Sequence, residues 1–260
     1  MGAAIVASGG YPSLSRLFLV LVTILLASAG ANGLTNYLDR DIDARMERTK
    51  HRALPSGRIR PPEKVLPLMV ALVIIGLGLA WHLHPLVFVV DLIGTIAAVV
   101  FRKRATCVFP QGAISSCTPV LMGWLSFEAT FSWEIVLLCL LIALWLPLHV
   151  WSIMVANRQD YLNAGISYFP VNWEVKKSVR VFPVFSVGLY ITSIALYFVG
   201  GFSWLYLVAA NLLGITMVYA SLRLVLSSAS RDAWRLYKLS AFPYLGLLFL
   251  FLCLDIWLLW

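Results

Sequence analysis

The stretch LSRLFLVLVTILLASAGANGLTNYLDRDID, residues 14–43, sets a long apolar run directly before a cluster of amides and carboxylates. Its first 25 residues, 14–38, contain one charged side chain, Arg16. A helix of roughly 20 apolar residues crosses the hydrocarbon core of a bilayer. Lipid offers the backbone no hydrogen bonds, so such a segment has to satisfy its own by forming a helix. The stretch therefore predicts a membrane-spanning helix that ends in a polar cluster.

The whole chain has the composition of a membrane protein. Hydrophobic residues make up 61% of its 260 residues, charged residues make up 12%, and the mean hydropathy is +0.87. A soluble domain carries roughly a quarter charged residues, so water cannot be the main solvent here. A soluble all-α protein is excluded because several apolar runs reach the roughly 20 residues that a bilayer-crossing helix requires. Seven more apolar runs follow, at residues 65–82, 85–101, 110–127, 133–156, 179–200, 203–226 and 239–260. We predict one all-α domain over residues 1–260, a polytopic bundle of eight transmembrane helices in contact with the lipid bilayer.

The basic residues predict the orientation of this bundle. If the spans alternate, nineteen of the twenty Lys and Arg residues fall in loops on one side, and only Arg16 falls on the other. Cytoplasmic loops carry the excess of Lys and Arg, so this side is predicted to be cytoplasmic, in the inner (cell) membrane. The net charge of +8 therefore records membrane topology, and no nucleic-acid partner is expected.

Polar residues at the end of the first span share one helix face. If the helix continues through Asp43, then Asn32, Asn36, Asp39 and Asp43 follow i, i+4, i+7, i+11 spacing. Asp41 points away from them and is expected to pair with Arg45, four residues later.

This pattern favours a site for Mg2+ and a diphosphate. Two carboxylates in helical reach repel each other unless a cation lies between them, and Mg2+ takes one or two carboxylates plus phosphate oxygens. Arg45, Arg48 and Arg52 follow directly and supply donors to the remaining phosphate charge. The alternative is an ordinary loop of paired charges. Asn32 and Asn36 favour function, because polar groups at membrane depth are costly.

A second polar patch follows the fifth span. His149, Asn157 and Asp160 lie roughly on one helix face, and the alternation of spans places Asp160 on the same side as Asp39. Asp160 is predicted to be a second Mg2+ ligand or to orient the diphosphate. His149 is either a substrate contact or a hydrogen bond between helices. Lys103 and Arg104 after the third span either reach the diphosphate or only set the topology.

Together these motifs resemble the UbiA superfamily of intramembrane prenyltransferases, and most of all its heme O synthase branch. Asp39 and Asp43 match the acidic positions of the pattern Asn-x-x-x-Asp-x-x-x-Asp, and Thr35 stands at the asparagine position, so Asn36 or Asn32 is expected to replace it. Further matches are Tyr37-Leu-Asp-Arg-Asp-Ile-Asp, Met46-Glu-Arg-Thr-Lys, Lys103-Arg104-Ala-Thr, Pro147-Leu-His149 and Asp160-Tyr-Leu-Asn-Ala-Gly165. The family has nine spans where eight are predicted here. Residues 1–10 are too short to cross, so a first helix is expected to be missing or the start shortened.

The resemblance implies a helical bundle around a cavity open to lipid. It implies Mg2+ as cofactor, held by Asp39, Asp43 and Asp160 as catalytic residues. It implies farnesyl diphosphate as prenyl donor and heme B as acceptor, giving heme O. The implied substrate contacts are Asn32, Thr35, Asn36, Arg45, Arg48, Arg52, Lys103, Arg104, His149, Asn157 and Tyr161. The alternatives are another acceptor (a quinone precursor, chlorophyllide or an archaeal glycerol-phosphate lipid) and a non-catalytic lipid or heme carrier.

Overall fold

The protein forms a bundle of helices. The computed structural model describes the backbone of residues 1–106, 109 and 111–259, with all of their side chains except those of residues 101–106, 111 and 259. Its helices are α1 (Gly2–Ala7), α2 (Leu14–Leu38), α3 (Arg40–Asp43), α4 (Leu66–Leu83), α5 (Pro85–Thr106), α6 (Gln111–Leu125), α7 (Trp133–Ala156), α8 (Arg158–Asn163), α9 (Val175–Ser178), α10 (Phe182–Gly200), α11 (Trp204–Ser227), α12 (Ser230–Leu239) and α13 (Leu245–Leu259).

The long helices coincide with the predicted spans. Six helical stretches among the described residues are long and apolar enough to cross a membrane, and two shorter apolar helices, Pro85–Val100 and Gly112–Leu125, occupy the other two predicted positions. Large apolar side chains such as Leu68, Ile74 and Leu212 lie exposed on the outer faces of these helices. Helices that are apolar on every face belong in lipid, so the chain is an all-α integral membrane protein.

The bundle has two groups of helices joined through α6. α2 packs against α4 and α5, while α7 packs against α10 and α12, and α6 contacts both α5 and α7. α7 packs into the main hydrophobic core rather than facing lipid. Its side chains Leu138, Leu141, Leu148 and Met154 are all fully buried there. The short α1 packs against α6 and α13.

α2 covers the predicted first span, 14–38, and one other predicted helix boundary was wrong. The condition that the helix continues unbroken through Asp43 is not met, because Asp39 leaves helical geometry (φ −96°, ψ 6°) before the separate turn α3. Residues 230–238, which lie between two predicted spans, form a helix together with Leu239, α12, which joins α13 through a π-helical turn at Ser240–Tyr244. Pro243 lies in this turn and has no N–H to donate to Leu239, which accounts for the irregularity.

α2 and α4 approach closely at Gly30. A Cβ atom added there would lie 2.8 Å from the backbone nitrogen of Val73 and 2.9 Å from the carbonyl oxygen of Met69. Backbone atoms cannot move aside as a flexible side chain can, so the two helices would have to separate. Gly78 on α4 provides a contrast, because a Cβ atom there meets nothing within 4 Å.

We predict that Gly30→Ala destabilises the protein and that Gly78→Ala does not. Overpacking costs about 1–3 kcal/mol, whereas alanine in place of an unpacked helical glycine is neutral or favourable. Thermal unfolding of the two variants in the same detergent measures the difference. Equal melting temperatures for wild type and Gly30→Ala would contradict the close packing of α2 on α4.

Candidate active site

Two buried carboxylates stand at the end of the first span. The backbone N–H of Asp39 donates to the carbonyl of Thr35 at 2.9 Å, and that of Asp43 donates to the carbonyl of Asp39 at 2.8 Å. These i to i−4 bonds keep the helical repeat across the break between α2 and α3, so Asp39 and Asp43 remain one turn apart. Their exposed fractions are 2% and 0%. The predicted carboxylate pair is therefore present, and it lies inside the protein.

The loop after α3 folds back over this pair. Arg52 Nη1 donates to Asp43 Oδ2 at 2.8 Å and to Asn36 Oδ1 at 3.0 Å. Thr49 Oγ1 donates to the carbonyl of Asp43 at 2.9 Å. Burial, followed by the neighbouring Arg48 guanidinium, lowers the pKa of Arg52, and Tyr161 raises it in part. Arginine normally titrates so far above neutral pH that Arg52 remains a cation beside Asp43.

Asp160 holds the same loop from the other half of the bundle. Its Oδ1 accepts the backbone N–H of Glu47 at 2.7 Å, and its Oδ2 accepts that of Arg48 at 3.3 Å. The Arg48 guanidinium lies 3.5 Å from the hydroxyl of the buried Tyr161. The ends of α3 and α7 therefore lie on the same side of the bundle, as the alternation of spans predicted.

The structure does not group the three carboxylates as predicted. Among the described residues, no three His, Cys, Asp or Glu side chains are arranged to hold a metal ion. Asp160 is engaged because both of its oxygens accept backbone N–H groups of the loop. Asp41 also differs from the prediction: its ion pair is with Arg40, at 4.0 Å, rather than with Arg45, which is exposed.

A cavity of about 420 Å³ lies between α2, α5, α6 and α7. From α2 it is lined by Asn32 and Thr35, two of the predicted substrate contacts, and by small apolar residues. Thr35 is the residue whose carbonyl accepts the N–H of Asp39, so the cavity begins one helical turn from the carboxylate pair. A second cavity of about 390 Å³ lies under the folded loop and is lined by Asn36, Asp43 and Arg52.

Other predicted residues lie away from this cavity. The His149 ring is stacked between Trp145 and Tyr237, with centroids 4.7 Å apart in both cases, and its Nδ1 lies 3.1 Å from Ser240 Oγ. Asn157 Nδ2 donates to the carbonyl of Ile153 at 2.9 Å. His149 therefore has the contacts of a hydrogen bond between helices, which was the alternative. The side chains of Lys103 and Arg104 lie outside the described residues.

Several polar residues of the cavity were not predicted from the sequence, and Asp91 is the acidic one among them. Asp91 on α5 is 2% exposed and lines the cavity together with the hydroxyl residues Thr95, Ser115, Ser116 and Thr118. A signal for it was available, because an acidic residue inside an apolar span is costly and suggests a functional site. No such signal marks the serines and threonines, which lie in spans without cost when they bond their own helix backbone.

The two carboxylates of Asp39 and Asp43 can bind Mg2+ only together with a ligand that supplies further oxygen atoms. Mg2+ prefers one or two carboxylates and fills its octahedron with phosphate oxygens and water. Asp39 and Asp43 are such a pair, buried and one turn apart, and the amide oxygen of Asn36 lies on the same side of Arg52. This arrangement suits an anionic head group whose oxygen atoms supply the remaining Mg2+ ligands.

These features define the class, an integral membrane protein whose helices surround a cavity that begins one helical turn from two buried carboxylates. The chain belongs to the UbiA prenyltransferase family, whose model matches residues 1–253, and it is therefore a prenyltransferase.

Relatives and solved structures agree with this assignment. The chain is 34% identical to a protoheme IX farnesyltransferase of Desulforudis audaxviator, over 98% of this chain and 82% of the relative. It is 34% identical to protoheme IX farnesyltransferase 1 of Picrophilus torridus, over 85% of this chain and 76% of the relative.

The fold is similar to a digeranylgeranylglyceryl phosphate synthase (TM-score 0.80, 19% identity, 98% of this chain and 90% of the other). It is also similar to an Archaeoglobus fulgidus UbiA homolog bound to GPP and Mg2+ (TM-score 0.62, 14% identity, 98% and 93%).

The contacts of Asp160 predict that it orders the loop. We expect Asp160→Ala to increase the rate of trypsin cleavage at the basic residues 45–52 several-fold, because both loop N–H groups lose their acceptor. Asp160→Asn keeps one acceptor oxygen and should lie between wild type and Asp160→Ala. Asn163→Ala, on the exposed side of the same helix α8, serves as the control. Wild-type cleavage in Asp160→Ala would contradict this role.

Proposed function

We propose that the protein transfers the farnesyl group of farnesyl diphosphate to the vinyl group of heme B, in a reaction that depends on Mg2+ and forms heme O. The observation that carries the proposal is the buried pair Asp39 and Asp43, closed over by Arg52, one turn from a cavity inside the bundle. The protoheme IX farnesyltransferase relatives support the choice of donor and acceptor.

Asp39 and Asp43 would hold Mg2+ against the diphosphate. The A. fulgidus homolog bound to GPP and Mg2+ supports this pairing of cation and prenyl diphosphate. The cation, when bound, supplies charge that stabilises the departing diphosphate. Its two carboxylate ligands are set in place by helical backbone bonds before substrate arrives, so little order has to be gained on binding.

The loop contributes the remaining positive charge. Arg52 lies 2.8 Å from Asp43, where it can neutralise phosphate oxygens next to the cation. Arg48 and Arg45 are exposed on the same loop and can approach the diphosphate from outside. Asp160 would act through the backbone of this loop, by holding Glu47 and Arg48. These groups together would lower the barrier to breaking the allylic C–O bond.

The cavity then has to protect the allylic cation. Its walls combine apolar residues, among them Ala31, Leu146 and Val150, with Asn32 and Thr35 near the carboxylates. Apolar walls exclude bulk water, which would otherwise capture the farnesyl cation before the acceptor does. Asn32 and Thr35 remain predicted contacts of the diphosphate end of the substrate.

The site is proposed to face the cytoplasm of the cell membrane. Asp39, Asp43, the loop 44–61 and Asp160 lie on the side that carries nineteen of the twenty basic residues. This is the side from which a charged diphosphate donor could enter without crossing the bilayer.

We predict that Asp39→Asn lowers Mg2+-dependent release of diphosphate from farnesyl diphosphate by at least about a hundredfold, because one of two charged ligands is lost. Asp41→Asn, which removes an exposed carboxylate two residues away, should retain wild-type turnover. Diphosphate release by purified protein is measured across a range of Mg2+ concentrations. Turnover of Asp39→Asn at the wild-type rate would refute the catalytic assignment.

We also predict that heme B is the acceptor. Purified protein incubated with farnesyl diphosphate, Mg2+ and heme B should yield heme O by mass spectrometry, and chelation of Mg2+ should stop product formation. Aromatic quinone precursors and glycerol-phosphate lipids are tested in parallel. A product with a quinone precursor but none with heme B would transfer the assignment to another branch of the family. Heme binding without any transfer would favour the carrier alternative.

A further inference from the structure

Asp91 stands apart from the other acidic residues of the bundle. It is 2% exposed and faces the central cavity, and its Oδ2 atom has no hydrogen-bond partner among the described residues. Thr95, one helical turn further along α5, lines the same cavity. Half of the carboxyl group is therefore left to interact with whatever fills the cavity.

Asp255 on α13 is a carboxylate with a structural role, and its contacts can be compared with those of Asp91. It is fully buried, and its two oxygens accept from Ser203 N at 2.7 Å, from the Ser203 hydroxyl, and from Tyr206 N at 3.1 Å. These bonds cap the first turn of α11 and leave Asp255 satisfied. In the part of the chain that the structure describes, Asp91 has no comparable set of donors. A carboxyl group in a span is costly without partners, so its partner at Asp91 is expected to be a bound molecule.

The walls around Asp91 suit water. Ser115, Ser116 and Thr118 on α6 line the same cavity. α5 and α6 meet closely beside them, since a Cβ atom added to Gly94 would collide with the Thr118 side chain. A buried water needs two to four polar partners and room of its own. A cavity of about 420 Å³ in which Thr95 and Thr118 lie near a half-free carboxyl meets both needs.

Asp91 lies at the end of the cavity remote from the carboxylate pair. The cavity runs along α2 from Ala27 to Thr35 and along α5 from Asp91 to Ala98, which at 1.5 Å per residue is ~10–12 Å. α2 and α5 cross the bundle in the same direction, so Thr35 and Ala98 mark the end near Asp39. The space between that end and Asp91 would hold the allylic carbon, the vinyl group and a water in sequence.

The chemistry of the proposed function needs a base in that position. The farnesyl C1–O bond breaks, and its electron pair leaves with the diphosphate. C1 then bonds to the terminal vinyl carbon through the vinyl π electrons, and the positive charge passes to the vinyl carbon attached to the porphyrin. Heme O requires that a water oxygen attack this carbon and lose one proton.

We propose that Asp91, as a carboxylate, is the general base that accepts this proton, with the Thr118 hydroxyl of α6 holding the water. This inference rests on the proposed function. Without the base, the cation on the vinyl carbon would lose a proton to form an alkene, or collapse, instead of gaining a hydroxyl. A positioned base contributes roughly 10²–10⁴-fold in rate. Asp91 thus determines the second half of the reaction, and Asp39 and Asp43 determine the first.

The test follows two products in one assay of purified protein with farnesyl diphosphate, Mg2+ and heme B. Asp91→Asn, which keeps the size of the side chain, is expected to release diphosphate within a few-fold of wild type, while heme O formation falls at least about a hundredfold. Farnesylated heme lighter than heme O by one water is expected to accumulate. Asp41→Asn is the control for loss of a carboxylate and should match wild type in both products.

Three outcomes would overturn the proposal. Heme O formation by Asp91→Asn at the wild-type rate would show that no base acts there. Equal loss of diphosphate release and of heme O would show that Asp91 acts before the C–O bond breaks, or only in folding. A wild-type protein that forms no farnesylated heme would remove the proposed function and this step with it. The first two outcomes leave the proposed function intact, so the two failures are distinguishable.

Discussion

The absence of hydrogen-bond partners in lipid constrains this molecule more than any other factor. Every polar group placed in the bundle has to find its partner inside the protein or in a bound molecule. Most groups follow the simplest route: Thr23, Thr35 and Thr192 each donate to a backbone carbonyl four residues earlier on their own helix. Among the groups that depart from this route, Asp160 lies where the two halves of the bundle meet and Asp91 lies where a ligand is expected.

The loop after α3 joins the two halves around the carboxylates. Arg52 reaches back to Asp43 and Asn36 on the first half, and Asp160 on the second half accepts two backbone N–H groups from the same loop. Together they bring basic residues over Asp39 and Asp43, in a position to screen a diphosphate.

A residue's chemical type did not determine its role here. Asp39, Asp91, Asp160 and Asp255 are all aspartates at or within the bundle, yet each is in a different environment. Asp255 caps a helix, Asp160 anchors a loop, Asp39 stands beside Asp43 next to the cavity, and Asp91 faces into it. Membership of the UbiA prenyltransferase family identifies the kind of reaction, whereas these environments assign the individual carboxylates.

The sequence by itself determined the class, the positions of the eight apolar helices and the side on which the acidic patches meet, because span length, hydropathy and the sidedness of charge are properties of the local chain. It also located Asp39 and Asp43, whose spacing follows the helical repeat. Only the tertiary structure decided that Asp160 binds loop backbone, that His149 stacks between Trp145 and Tyr237, and that Asp91 enters the cavity. Those outcomes depend on which face each helix turns toward neighbours that are distant in sequence. A helix with a nearly uniform apolar surface gives no indication of that face in its sequence.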